Sequence, residues 1–417
     1  MYQAYQTQND LMWPLRTWAK ASSSGFFAPP SAPPLGDLLP LAGLGSAARS
    51  SGQRLLAACK LLELAEVSHK RPPWYITSVE ADGQTQAVTE EAVLTTPFAT
   101  LLRFRKADAP PQPKVLVVAP MSGHFATLLR DTVRTVLQHH DVYVTDWHNV
   151  RDVPLAAGRF GLDEYTQHII DFLAAMGPNS NVIAVCQPCV AALAAVAIMS
   201  EDQHPATPAS LTLMAGPIDC RVSPTAVNDL AVSKPIGWFE SKLISAVPWR
   251  HPGAGRRVYP GFVQLSAFIS MNRERHVDAF KSYYAHLVEG EFDKAEVTRT
   301  FYEEYMAVAD LSADFYLETV RLVFQEYALA KGELYFRGRR VNPAAIRRTA
   351  LLTVEGERDD ICAIGQTLAA QDLASSLRPY MRTHYVQPNV GHYGVFSGKR
   401  WQNHIYPLVR DVIHNSQ

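Results

Sequence analysis

Cys186, Asp359 and His392 lie far apart in the chain, but each follows a short apolar run, and in that order they have the makings of an acyl-transfer site. A thiol nucleophile needs a base to take its proton, and an imidazole base needs a carboxylate to hold its tautomer. The run VIAV ends at Cys186, and an Ala/Val-rich stretch, Val190–Met199, begins just beyond it. This strand–turn–helix setting presents a side chain at the carboxyl end of a sheet, beside a helix N-terminus that favours negative charge. The glycines of G-x-S-x-G are missing from Ala184-Val185-Cys186-Gln187-Pro188. Pro188 is tolerated in the first helical turn, where its absent N–H would have been unpaired anyway. The run ALLTV leads into Glu355–Ile361, which offers Asp359, with Asp360 as its rival. A last strand, His384–Val386, leads to His392 between glycines. A core cysteine, a solvated acidic turn and a surface histidine are the bland readings. Three such residues in nucleophile–acid–base order, each at a strand's carboxyl end, outweigh them.

Acyl transfer also needs donors for the developing oxyanion. The loop Pro120–Phe125 follows the apolar run VLVVA, so backbone N–H groups of Gln187 and of Met121 or Ser122 are the expected donors. His124, Trp238 and Trp249 are candidate substrate contacts, each with a structural role as the competing reading. Cys186-Gln187-Pro188-Cys189 also spells C-x-x-C, a thiol–disulfide exchange signature. An exchange module needs neither the Asp359 and His392 loops nor a long helical insertion.

These residues require particular elements. Strands are expected over Tyr75–Val79, Glu91–Thr95, Ala99–Phe104, Val115–Ala119, Asp141–Asp146, Val182–Val185, Leu211–Met214, Ala350–Val354 and His384–Val386, with helices between the later ones. Such alternation makes βαβ units and a mostly parallel sheet. The rhythm breaks between about Cys220 and Arg348, which reads as an inserted helical cap. The expectation is an α/β-hydrolase fold: an N-terminal helical extension (1–70), a core (71–219 and 349–417) and a cap or lid (220–348). Ser22–Pro40, with five prolines, reads as a linker without regular structure.

In 417 residues, 47% hydrophobic and 19% charged with a net charge of −1, there is ample core and no global field for nucleic acid. Met1–Ser22 lacks a basic stretch followed by an apolar run, so no secretory signal is expected. No apolar stretch approaches the ~18 residues of a membrane span. Five scattered cysteines fit a reducing compartment, and no Zn spacing, P-loop or GxGxxG is present.

The strings MYQAYQTQNDLMWPLR, APMSGHFATLLRDTV, DVYVTDWHNVRDVP, VCQPCVAALAAV, TVEGERDDI and PNVGHYGVFSGKRW resemble the intracellular poly(3-hydroxybutyrate) (PHB) depolymerases. The resemblance runs over nearly the whole chain, with VCQP its most specific part. It implies a Cys186–Asp359–His392 triad, no cofactor, and hydrolysis of amorphous polymer to 3-hydroxybutyrate oligomers and monomer. It also implies a cytoplasmic enzyme on the storage-granule surface. Coenzyme A is an alternative acyl acceptor, and a homo-oligomer stays open. The family usually has a small hydroxyl residue where Cys189 stands. The related polyhydroxyalkanoate synthases share the chemistry but carry G-x-C-x-G. A non-catalytic granule-coating protein is the further alternative, separable by replacing Cys186.

Overall fold

The computed structural model describes residues 1–23, 46–81, 83–107, 110–271 and 273–416. Beyond Ser23, the expected linker lies outside the described residues. The strands of the main sheet are β1 (Ser78–Ala81), β2 (Gln84–Thr95), β3 (Ala99–Lys106), β4 (Lys114–Val118), β5 (Asp141–Trp147), β6 (Ser180–Val185), β7 (Ser210–Met214), β8 (Ala350–Gly356) and β9 (Arg382–Gln387). They lie in the order β1-β2-β3-β5-β4-β6-β7-β8-β9. Pairing is antiparallel as far as β5 and parallel from β5 through β9.

The apolar runs explain the parallel half. KVLVV and SNVIAV are apolar along most of their length because both faces are covered, and every residue of β6 and of β7, SLTLM, is buried. β4 has β5 on one side and β6 on the other, so the chain reverses its progress across the sheet there. Ligands of open parallel sheets gather outside the carboxyl ends at such a reversal. The loops after β4 and β6 both open at that point. This strand order, with helices on the sheet, is the α/β-hydrolase fold.

The helix after Cys186 is Cys189–Glu201, buried from Cys189 through Met199. An all-round apolar helix belongs in a core. The sequence pattern over Cys362–Leu377 predicts a helix, but in the structure it shrinks to Ala369–Leu373. The backbone N–H groups of Gly365, Thr367 and Leu368 turn instead toward the Glu355 carboxylate.

The chain forms two compact units, Met1–Pro72 with Pro260–Val308, and Pro73–Tyr259 with Ala309–Gln417. The first thus joins the expected N-terminal extension to the middle of the expected cap. It is helical, with Leu64, Tyr283, Leu287 and Tyr302 in its core. Tyr5 stacks on Phe262 at 3.8 Å between ring centres, while Leu11, Trp13 and Trp18 stay exposed. The second unit holds the sheet and every candidate site residue.

Leu193 is fully buried within the helix behind the elbow. Leu193→Ala is expected to cost about 2–5 kcal/mol, read as a lower denaturation midpoint. An unchanged midpoint would contradict its place in the core.

Candidate active site

Cys186 leaves β6 with a φ of +67°. A non-glycine residue enters this left-handed region only when its surroundings enforce it. Here the enforcement is visible: Cys186 N–H donates to the Met214 carbonyl at 2.8 Å, and the Cys186 carbonyl accepts from Cys189 N–H at 3.1 Å. Gly216, just past β7, packs so closely on Cys189 that a Cβ there would overlap its side chain. Cys186 is half-buried, whereas Cys189 is fully buried. Burial pushes the Cys189 thiol up, and its sulfur donates to the Ala184 carbonyl at 3.3 Å.

Asp359 and His392 meet because two loops are sewn together. Glu357 N–H donates to the Gln387 carbonyl at 3.0 Å and Arg358 N–H to the Val390 carbonyl at 2.8 Å. Gly356 makes the approach possible, since a Cβ there would lie 2.9 Å from the Val390 carbonyl oxygen. His392 Nδ1 then lies 2.8 Å from Asp359 Oδ2, both residues buried. Asp359 Oδ1 accepts N–H bonds from Ile361 at 2.9 Å and Cys362 at 2.8 Å. Cys186 lies close enough to the His392 ring to act on its charge. Burial works to lower the His392 pKa. The electrostatic influence of Cys186 and Asp359, together with the Asp359 hydrogen bond, holds it well above the ordinary histidine value. The structure therefore sets Cys186 and Asp359 both beside His392, a line of neighbours suited to moving a proton off a thiol.

Gln187 follows Cys186 directly, before the helix cap at Pro188. Met121 and Ser122 occupy the loop after β4, whose base is firmly held. The Ala119 carbonyl accepts from Trp147 Nε1 at 2.8 Å and from the Tyr165 hydroxyl at 3.0 Å. His124 is buried in that loop. Trp238 stands edge-on to Phe239, and Trp249 is 84% exposed. Neither tryptophan is hydrogen-bonded to the Cys186 line.

Three residues beneath the site were not singled out from the sequence. Glu355 is fully buried, and its carboxylate collects the N–H groups of Gly365, Thr367 and Leu368 at 2.7–2.9 Å. Thr367 Oγ1 then accepts from Gly216 N–H at 2.8 Å and donates to the Gly216 carbonyl at 3.0 Å. A polar path thus runs from the end of β8 to the glycine that backs Cys189. Its signal in the sequence was an acidic residue closing an apolar strand.

Fold and site together define an α/β-hydrolase. Residues 215–417 match the family described as the PHB de-polymerase C-terminus. The matched part is just under half of the chain, contains Asp359 and His392 and begins after Cys186. No curated protein matches the chain. Similar solved structures include 2-hydroxy-6-oxo-6-phenylhexa-2,4-dienoate hydrolase from Rhodococcus sp. strain RHA1, at 13% identity and a TM-score of 0.43, covering 79% of this chain and 99% of that one. A thermophilic esterase from Thermogutta terrifontis is similar at 12% identity and a TM-score of 0.40, covering 78% and 98%. Among the described residues, no helix is long and apolar enough to cross a membrane.

Because the His392 pKa is raised, its charged form is favoured by folding. That stabilisation is fully present below the ordinary histidine pKa and fades as pH rises through the folded-state value. Cys186→Ala and Asp359→Asn each remove a raising influence. In a histidine NMR titration, both are expected to move the His392 midpoint down, and an unmoved midpoint in either would refute the line.

Proposed function

We propose that the protein hydrolyses amorphous poly(3-hydroxybutyrate) through an acyl-enzyme on Cys186. The observation that carries this reading is the His392 ring, hydrogen-bonded to Asp359 and with its charge acted on by Cys186, in a chain whose residues 215–417 match the PHB depolymerase family. His392 takes the Cys186 proton as sulfur attacks an ester carbonyl of the polymer. Backbone N–H groups of Gln187 and of Met121 or Ser122 receive the oxyanion. His392 then protonates the departing 3-hydroxyl, the acyl group stays on sulfur, and the shorter chain leaves. Water, deprotonated by His392, releases 3-hydroxybutyrate or an oligomer and restores the thiol. Coenzyme A in place of water would yield 3-hydroxybutyryl-coenzyme A. Asp359 holds the ring throughout.

The working place under this reading is the surface of cytoplasmic storage granules, where His124, Trp238 and Trp249 are the candidate polymer contacts. A synthase would run the same acyl chemistry toward ester formation. The absence of both glycines of G-x-C-x-G around Cys186 favours cleavage.

Amorphous polymer granules, incubated with reduced wild type or Cys186→Ala, are the test. Wild type is expected to release soluble 3-hydroxybutyrate, and the variant roughly 10³-fold less or lower still. Added coenzyme A identifies the acceptor by whether its thioester forms. No release by wild type would overturn the depolymerase reading in favour of polymer synthesis. Equal release by both proteins would overturn the cysteine mechanism.

A further inference from the structure

At the amino ends of β8 and β9, opposite the ends that carry Asp359 and His392, lies an open cleft of about 730 Å³ lined by Arg347, Arg348, Ser376, Arg378, Tyr380 and Met381. That volume is within the range of small-molecule sites. Its three guanidinium groups are unusual for what they lack. Other arginines of this part of the chain are already engaged. Arg339 pairs with Glu201 and Asp202. Arg340 donates to the Gly332 carbonyl, and Arg382 to the carbonyls of Leu377 at 3.0 Å and Ser375 at 2.8 Å. Arg378 donates only to the Tyr380 hydroxyl, at 3.2 Å. Among the described residues, Arg347, Arg348 and Arg378 have no carboxylate partner.

Like charges gathered around one concavity repel unless an anion joins them. Guanidinium forks match phosphate oxygens two at a time, so several in one cleft favour a multiply charged phosphate over a lone carboxylate. The wall of the cleft is fixed in advance, because the Arg382 fork ties down the backbone at Ser375 and Leu377. Tyr380 is 76% exposed, leaving a ring face on which a base can stack. Its hydroxyl bond to Arg378 holds the aromatic and cationic parts of the cleft together.

We propose that this cleft binds a nucleoside di- or triphosphate, its phosphates on Arg347, Arg348 and Arg378 and its base on Tyr380. The site is separate from the ester chemistry. β8 is seven residues long and so spans about 23 Å, which keeps the bound molecule from delivering a group to Cys186. It nevertheless touches the start of both strands whose far ends hold the acid and the base. β8 and β9 pair in parallel from Leu351↔Arg382 to Gly356↔Gln387. The nucleotide is therefore a regulator or a ligand in its own right, whatever the acyl acceptor.

The test is calorimetric binding of ADP, pyrophosphate and adenosine to the full chain, independent of any activity. ADP is expected to bind saturably and more tightly than pyrophosphate, with adenosine weakest. The variant R347A/R348A is expected to weaken ADP and pyrophosphate at least 10-fold. Tyr380→Ala should weaken ADP alone, and added salt should weaken both anions. Circular dichroism melts matching wild type would establish that the variants fold. Absence of saturable ADP binding at millimolar concentration overturns the proposal, as does unchanged ADP affinity in a folded R347A/R348A/R378A protein. Equal affinity for ADP and pyrophosphate overturns the nucleotide assignment.

Discussion

A carboxylate and an imidazole held out of water at 2.8 Å impose conditions on everything around them. The side chains of His392 and Asp359 are only 6% and 0% exposed, so neither can turn to solvent for a missing partner. A buried charge is tolerated when its hydrogen-bonding capacity is filled and ruinous when it is not. Ile361 and Cys362 fill one oxygen of Asp359, and His392 takes the other. All these partners are set by the parallel register of β8 on β9, which ends at Gly356↔Gln387. A slip of one residue would shift one loop by about 3.3 Å and reverse every side chain along that strand. The pair can therefore exist only if the sheet is paired correctly to its last rung.

The same dependence reaches the nucleophile from the other side. Cys186 sits at φ +67°, a conformation that the isolated chain would abandon. It is kept there by the end of β7 through Met214 and by the packing of Gly216 against Cys189. Gly216 is itself clamped by both of its backbone groups to Thr367, and Thr367 is held by Glu355 at the end of β8. Elbow and acid–base pair thus share one strand end. Distortion of β8 would act on the thiol and on the carboxylate together, so the alignment of the two is a collective property of the sheet edge.

How much of this could be read from residues alone depends on the range of the interaction. The buried strands announce themselves by composition: KVLVV, VIAV and ALLTV have no polar face, which is what a parallel strand covered on both sides requires. Cys186, Asp359 and His392 could be singled out as candidates because each follows such a run and their order matches a known chemistry. Glu355 could not, since a buried carboxylate and a solvated one look alike in sequence, and only folding brings Gly365, Thr367 and Leu368 around it. The same bonds explain why the helix expected over Cys362–Leu377 is short: three N–H groups found a carboxylate instead of carbonyls. Pairing of the N-terminal helix with residues 260–308 was invisible for a related reason. Tyr5 on Phe262 is a contact across more than two hundred residues, and no local pattern records it.

The C-x-x-C spelling shows how a motif can be present without its chemistry. Exchange needs a resolving thiol that is accessible and readily ionised. Cys189 is neither: it is fully buried, its thiol is pushed up by that burial, and its sulfur is bonded to strand-end carbonyls at Ala184 and Met214. The thiol here therefore acts as a packing and hydrogen-bonding group. Cys220 and Cys362 are likewise buried with raised thiols. Cys186 alone is half-exposed among the five cysteines, and it acts on the charge of His392. Selectivity for one sulfur in a chain with five comes from where the fold lets water and substrate reach.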